Sequence, residues 1–282
     1  MQMDIFRGRV LLIATRHGKE GVLAPILEPG LGVVCQAVPE LDTDQLGTFT
    51  GEVERVLSPL DAAREKCRQA MELTGHDLAI ASEGSFGPHP SLPFLPADEE
   101  FLLLMDRRNA LEIAVRECSL HTNFSSAQVC SVEELMAFAR GVSFPSHALI
   151  LRGGPTDPSG TMKGVDRMED LIEGFQSLLA RHGSVQVETD MRAMCNPTRM
   201  GIIEEAGRKL LERCLSSCPT CARPGFWVRE VRTGLPCAQC GAPTRGVIAR
   251  VLRCDGCGHT REDAYPDGIL VADPGRCDVC NP

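Results

Sequence analysis

Fourteen cysteines stand in 282 residues, and eight of them fall from residue 218 onward as four C-x-x-C pairs. These are Cys218/Cys221, Cys237/Cys240, Cys254/Cys257 and Cys277/Cys280. Closely paired cysteines in a chain read as cytoplasmic and reduced are metal ligands before they are disulfide partners. Zinc takes four thiolates in a tetrahedron, and two such pairs complete one shell. Two structural zinc ions are therefore expected, with no coordination position open for water. Gly241 and Gly258 follow the second cysteine of two pairs, where a left-handed backbone is useful. The competing redox reading is weak, because redox C-x-x-C motifs usually stand alone at a helix start. Sequential ribbons are expected, with Cys218/Cys221 joined to Cys237/Cys240 and Cys254/Cys257 to Cys277/Cys280. A cross-braced arrangement would alternate the pairs. His259 and Cys214 are spare ligand types, read as a surface residue and a buried helix residue. Arg223, Phe226, Trp227, Arg229 and Arg232 have the composition that suits bases and phosphates. Phe226 and Trp227 are read first as the small core a ribbon needs.

A second set of reactive residues lies early in the chain. The apolar run Val10–Ala14 leads into Thr15-Arg16-His17-Gly18-Lys19-Glu20. A strand-to-helix turn of this kind binds anions through backbone amides, and Lys19 adds charge. The G-x-x-x-x-G-K-[S/T] loop is absent. A second cluster, Asp42 to Arg55, gathers Asp42, Asp44, Glu52 and Glu54 with Thr48, Thr50 and glycines. A third, Ser82-Glu83-Gly84-Ser85-Phe86-Gly87-Pro88-His89-Pro90, follows the strand at 78–81 and reads as a turn. In open parallel sheets ligands bind beyond the C-terminal strand ends, where Lys19 and Glu83 would both sit on loops. Carboxylates beside a lysine-bearing anion loop suit Mg²⁺ and phosphate. The plain reading of the acids at 42–54 is a solvated loop face. Two further segments, 188–199 with Asp190, Arg192 and Arg199, and 152–164 with Lys163, also follow strands. Asn196 as a helix cap and an Arg192–Asp190 pair are their plain readings.

These residues need a scaffold. Val10–Ala14, Leu31–Val38, 78–81, 148–151 and 185–188 read as strands. A helix is expected over 60–74, with Pro59 in its first turn and Gly75 ending it. The segments 100–106 and 110–118 read as a hairpin around 107–109. Ser131 with Glu134 is a capping box opening a helix to Arg140. Helices are also expected over 166–181 and, behind Asn196-Pro197, to Arg213. Such alternation predicts an α/β fold of three layers, a mixed, mostly parallel sheet with helices on both faces. The composition shifts near Cys214 and gives domains of 1–213 and 214–282, the second a double zinc ribbon.

Apolar residues make up 43% and charged residues 24%, which excludes a disordered or collagen-like chain. No window is apolar over 18 residues, so no membrane partner is expected. The chain carries a formal net charge of -9. Its last 72 residues hold nine Arg and no Lys against eight acids, close to neutral. Nucleic acid is thus a weak partner at best, in the ~10⁻⁴ M non-specific range.

The order of motifs over residues 8–120 resembles the inosine triphosphate pyrophosphatase superfamily, including its branch acting on non-canonical purine nucleotides. The matching pieces are Thr15-Arg-His-Gly-Lys19, Gly47-Thr-Phe49, Ala62 to Ala70 with Lys66, Thr74-Gly75 and Ser82-Glu83-Gly84-Ser85. A single Glu83 stands where the superfamily usually has two adjacent acids, and its Ser-His-Arg motif is not visible. The resemblance implies that Lys19 and Lys66 contact phosphate oxygens. It implies that Glu83, with Asp44 or Glu52, holds Mg²⁺, and that Thr15 and Ser85 supply hydroxyl contacts. The whole chain is also similar to an uncharacterised bacterial family with C-terminal zinc ribbons. The expected function is a Mg²⁺-dependent nucleotide (pyro)phosphohydrolase acting on a nucleotide or phosphorylated small molecule. The alternative is a non-catalytic nucleotide- or nucleic-acid-binding regulator or scaffold that works through the ribbons.

Overall fold

The computed structural model describes residues 5–15, 17–39, 41, 57–154 and 160–282. The acidic segment 42–55, with Asp44 and Glu52, lies outside the described residues. The chain divides into two compact units, Phe6–Leu210 and Leu211–Pro282, the latter with Ile5.

The first unit opens with β1 (Val10–Ala14), α1 (Glu20–Leu31) and β2 (Val34–Ala37). Leu23, Leu27 and Leu31 recur every fourth residue and are buried, so the helix continues to Leu31. The strand expected from Leu31 therefore begins only at Val34. Next come α2 (Pro59–Thr74), β3 (Leu78–His89), β4 (Leu92–Asp106) and β5 (Leu111–Ser119). Ser58 caps α2 by accepting from the Asp61 amide, Pro59 fills its first position, and Gly75 closes it left-handed. These strands form a sheet in the order β2-β1-β3-β4-β5. The β1–β2 and β1–β3 pairs are parallel, and β4 and β5 join antiparallel. One face buries Leu12, Ala14, Ala79, Ala81 and Leu103 against Ala63, Cys67 and Ala70 of α2.

The segment read as a turn at 82–90 is strand. β3 runs on to His89 and pairs with β4 from Leu78↔Asp106 to His89↔Leu92. Its glycines and prolines suggest a loop, but the antiparallel ladder with β4 supplies its backbone partners. Glu83 and Ser85 thus lie on a strand, and the hairpin turn falls at 90–91.

The rest of this unit holds β6 (Ser126–Val129), α3 (Val132–Gly141), β7 (Leu149–Arg152), β8 (Met162–Val165), α4 (Met168–His182) and β9 (Val185–Thr189). Its sheet has the order β6-β9-β7-β8, with antiparallel pairs throughout. The expected single, mostly parallel sheet is therefore replaced by two sheets, because the β3–β4–β5 ribbon and this second sheet are antiparallel. Leu135, Phe175 and Leu178 of α3 and α4 pack with Leu149, Leu151 and Val187. Ser131 caps α3 as expected, its Oγ accepting from the Glu134 amide, while the Glu134 carboxylate accepts from the Cys130 amide, one residue before the amide a full capping box would use. Helix α5 (Pro197–Leu215) follows.

The second unit contains an antiparallel meander, β10 (Trp227–Thr233), β11 (Val247–Arg253) and β12 (Thr260–Ala264). No helix among the described residues is long and apolar enough to cross a membrane.

Candidate functional site

Five segments deliver charged side chains into the interior of the 6–210 unit. Lys19 occupies the cap position of α1 directly behind β1, with only 5% of its surface exposed. Its Nζ donates to Ser82 Oγ at 2.8 Å. Burial above all, then the nearby Arg199 guanidinium, brings the Lys19 ammonium down to about 7. Lys66 of α2 pairs with Glu83 of β3, and both are mostly buried. Successive strand residues face opposite sides, so Glu83 shares the α2 face with Ala79 and Ala81 while Ser82 points the other way.

On that other side β4 contributes Asp98 and Glu100, both with no exposed surface. Arg199, from the first turn of α5, is equally buried. Its Nε donates to Glu100 Oε1 at 2.6 Å and its Nη1 to the Met191 carbonyl. The sequence builds this placement locally. Asn196 Oδ1 accepts from the Arg199 amide at 3.0 Å, and His147 Nε2 accepts from the Thr198 amide at 3.3 Å. The start of α5 is therefore satisfied by side chains and its direction fixed. Gly84 is the floor under the guanidinium. A Cβ there would lie 2.5 Å from Arg199 Nη2 and 2.8 Å from Glu100 Oε1, so only glycine leaves the space. Neither carboxylate oxygen of Asp98 has a hydrogen-bond partner among the described residues. Burial first, then repulsion from Glu100, pushes the Asp98 carboxyl up to about 7.

Lys19, Lys66 and Glu83, singled out from sequence, are thus drawn together, though Lys19 caps a helix and Glu83 sits in a strand rather than on loops. Thr15 follows β1 and is buried, and Ser85 is half-buried in β3. Asp98, Glu100 and the inward course of Arg199 were not anticipated. Strand alternation carries the missing signal. Counting back by twos from the core residues Leu104 and Leu102 reaches Glu100 and Asp98. The Arg192–Asp190 pair forms, with Nη2 to Oδ2 at 2.6 Å, and Arg152 turns to Glu188. The first agrees with the plain reading of its segment; the second was not anticipated, and residues 155–159 of the 152–164 segment lie outside the described residues.

The eight tail cysteines form two sets, Cys218, Cys221, Cys254 and Cys257, and Cys237, Cys240, Cys277 and Cys280, each with its sulfurs within 4.8 Å of one another. The pairs alternate, so the sequential pairing is corrected. The cause is the meander. Trp227 opposite Arg253 brings the start of β10 to the end of β11, and with them the first and third pairs. A bridge between Cys237 and Ala272 brings the fourth pair to the second. Cross-pair sulfurs stand 3.6–3.9 Å apart. Four sulfurs about 2.3 Å from one metal at tetrahedral angles lie roughly 3.8 Å from each other, so both sets fit zinc. Amides of Cys240 and Gln239 pull the Cys237 thiol down to about 7, while the neighbouring Cys240 sulfur holds Cys280 up to about 12, so without metal the four sulfurs share protons that a bound cation would displace. Gly241 and Gly258 take φ of 72° and 74°, the left-handed turn that closes each knuckle. Cys214 is buried outside both sets, and His259 stacks on Phe226 at 5.7 Å. Phe226 is buried with Cys218 and Cys254, as the core reading expects, while Trp227 is half-buried under Arg213.

The family described as a domain of unknown function (DUF6671) matches residues 66–282. The chain belongs to that family. No curated protein matches the chain.

Proposed function

Starting from a family to which no activity is attached, we propose that the 6–210 unit binds and hydrolyses a phosphate ester of the nucleotide class with Mg²⁺. One observation carries this reading. Lys19, Arg199, Asp98 and Glu100 gather, buried, at the end of β1 and on one face of β3 and β4, and the Lys66–Glu83 pair lies on the opposite face of β3, within electrostatic reach of Lys19. Burying charges costs several kcal/mol each, and strongly shifted groups gathered this way mark functional sites. The resemblance of residues 8–120 to the inosine triphosphate pyrophosphatase superfamily points the same way.

The Lys66–Glu83 pair is the part that opens. Its ammonium turns to a phosphate oxygen and its carboxylate is released. Lys19, poised near neutrality, gains a proton as the phosphate dianion arrives. Lys19 and Arg199 then face the charge that develops on the phosphoryl oxygens. Among the described residues only the two cysteine sets bring three or more ligand groups together. Glu83 is thus a single described ligand for Mg²⁺, which binds such sites through one or two carboxylates plus substrate phosphates. The metal supplies charge neutralisation and a polarised water.

The test is release of phosphate or pyrophosphate from a panel of nucleotides with Mg²⁺ or Mn²⁺. Lys66→Ala is expected to lower kcat by about 10²–10³-fold, the scale of one preorganised electrostatic contact. Glu83→Gln is expected to lose activity that excess metal restores in part. No turnover across the panel by a protein with intact zinc sites rejects the hydrolase reading.

A further inference from the structure

A cleft of about 260 Å³ opens beside the buried cluster, between the extended end of β3 and the sheet of β6, β7 and β9. Its walls include Phe86, Phe124, Ser126, Ile150, Thr189 and Arg192. Aromatic residues are scarce in this chain, 4% of the total, yet two phenylalanines face each other here. The rings of Phe86 and Phe124 lie 5.8 Å apart and tilted by 33°. Phe124 keeps 38% of its surface exposed.

The cleft is joined to the charged cluster through two residues. The Arg199 guanidinium lies 5.0 Å over the Phe86 ring and donates to the carbonyl of Met191, which also lines the cleft. We infer that this cleft receives the flat ring of a nucleotide whose phosphate sits at Lys19 and Arg199. The inference rests on the phosphate-ester reading and adds the part of the substrate that confers selectivity. Three features point to a ring with polar edges. The aromatic wall offers a stacking surface. The rim is polar, with Ser126, Thr189, Glu188 and the Arg192–Asp190 pair, so a ring with polar edges meets more hydrogen-bonding surface there than an aliphatic occupant could use. The volume lies just below the range for drug-sized ligands, about 300–1,000 Å³, and is roomy for one base with part of its sugar. A phosphate alone would leave the cleft unused.

Calorimetry on the full-length, zinc-loaded protein tests this, with inosine, adenosine and uridine 5′-monophosphates compared with ribose 5-phosphate. At least one nucleoside monophosphate is expected to bind 10-fold or more tighter than ribose 5-phosphate. Phe124→Ala should erase about 5- to 100-fold of that advantage, the range for loss of one base–aromatic stack, and leave ribose 5-phosphate within twofold. Phe124→Leu keeps apolar volume without a stacking face and should fall between. Unfolding midpoints of both variants, equal to that of the parent, show that the fold is kept. Equal affinity for the monophosphates and ribose 5-phosphate overturns the inference, and so does a Phe124→Ala loss shared equally by all ligands. Nucleotide binding without turnover removes hydrolysis and keeps the cleft assignment. Turnover of phosphate esters with no preference for a ring does the reverse.

Discussion

Asp98 and Lys19 both stand near pH 7 in the folded protein, displaced from opposite directions. The Asp98 carboxyl is raised from an unfolded value of about 3.9. Between those values the folded state holds a proton that the unfolded chain has released. Stability is full below pH 4 on this account and falls as pH rises toward 7. The Lys19 ammonium is lowered from about 10.4. Between pH 7 and 10 the unfolded chain holds the extra proton, so stability rises with pH over that range. Each pKa unit is worth about 1.4 kcal/mol, which gives each limb a span of roughly a few kcal/mol. Urea unfolding across pH 4–10 should therefore show a minimum near neutrality. Asp98→Asn is expected to flatten the acid limb, and Lys19→Met to flatten the alkaline limb while raising the Asp98 carboxyl further, since the Lys19 charge lowers it. A flat profile in the parent protein would contradict both placements. Lys19 and Glu83 drew notice in the sequence because their types suit phosphate chemistry and they follow the apolar runs at 10–14 and 78–81, whereas Lys66 entered only through the family resemblance. Asp98 and Glu100 were hidden in Asp98-Glu99-Glu100, which reads as an ordinary solvated charge run. Only the period of two, continued back from Leu104 and Leu102, places two of the three inside.

At the scale of elements, strand pairing decides what spacing alone leaves open. The four C-x-x-C knuckles were plain from sequence, and so was the metal they suit. Their partnership was not, because β10, β11 and β12 run antiparallel and carry the first and third knuckles to one end of the meander. The same physics hid the course of β3. Gly84, Gly87 and Pro88 argue for a loop, yet the ladder with β4 continues to His89, and Gly84 is there to make room for Arg199. The helices from Pro59, Val132 and Pro197 were legible because their caps, Ser58, Ser131 and Asn196, act within three residues of sequence. Zinc counting by elemental analysis checks the alternating partnership. The double variant Cys221→Ser/Cys257→Ser touches one set and is expected to lose one of two zinc ions. Cys221→Ser/Cys240→Ser touches both and is expected to lose two. Sequential ribbons would give the opposite result, two and one.

The two compact units are held together internally by different forces. Among its described residues Phe6–Leu210 contains broad apolar cores, such as those around Leu12, Ala81 and Leu103 and around Leu149, Phe175 and Val187, with further buried residues such as Leu11, Ile80 and Leu102. The unit from Leu211 has one small cluster, Cys218, Phe226 and Cys254 with Cys221 and Leu252 packed on it. Its arginines answer acids at the surface, Arg229 to Asp255, Arg232 to Glu262, Arg245 to Asp278 and Arg250 to Asp267. Exposed pairs of this kind contribute about 0–1 kcal/mol each. A core this small does not hold a fold by itself. Structural zinc, worth roughly 10–16 kcal/mol of apparent binding energy in isolated fingers, supplies the difference. Chelation should therefore melt one unit and spare the other. In hydrogen exchange after zinc removal, amides of Trp227–Thr233 and Val247–Arg253 are expected to lose protection. Those of Leu11–Ile13 and Leu102–Leu104 should keep theirs. Helix α5 spans the division, and its first turn is pinned by Asn196 and His147. Fraying should accordingly enter from Leu215 and stop short of Arg199, so affinity for a nucleoside monophosphate should survive chelation. Simultaneous loss of protection in both units would show one cooperative block and make the zinc sites part of the phosphate site's own stability.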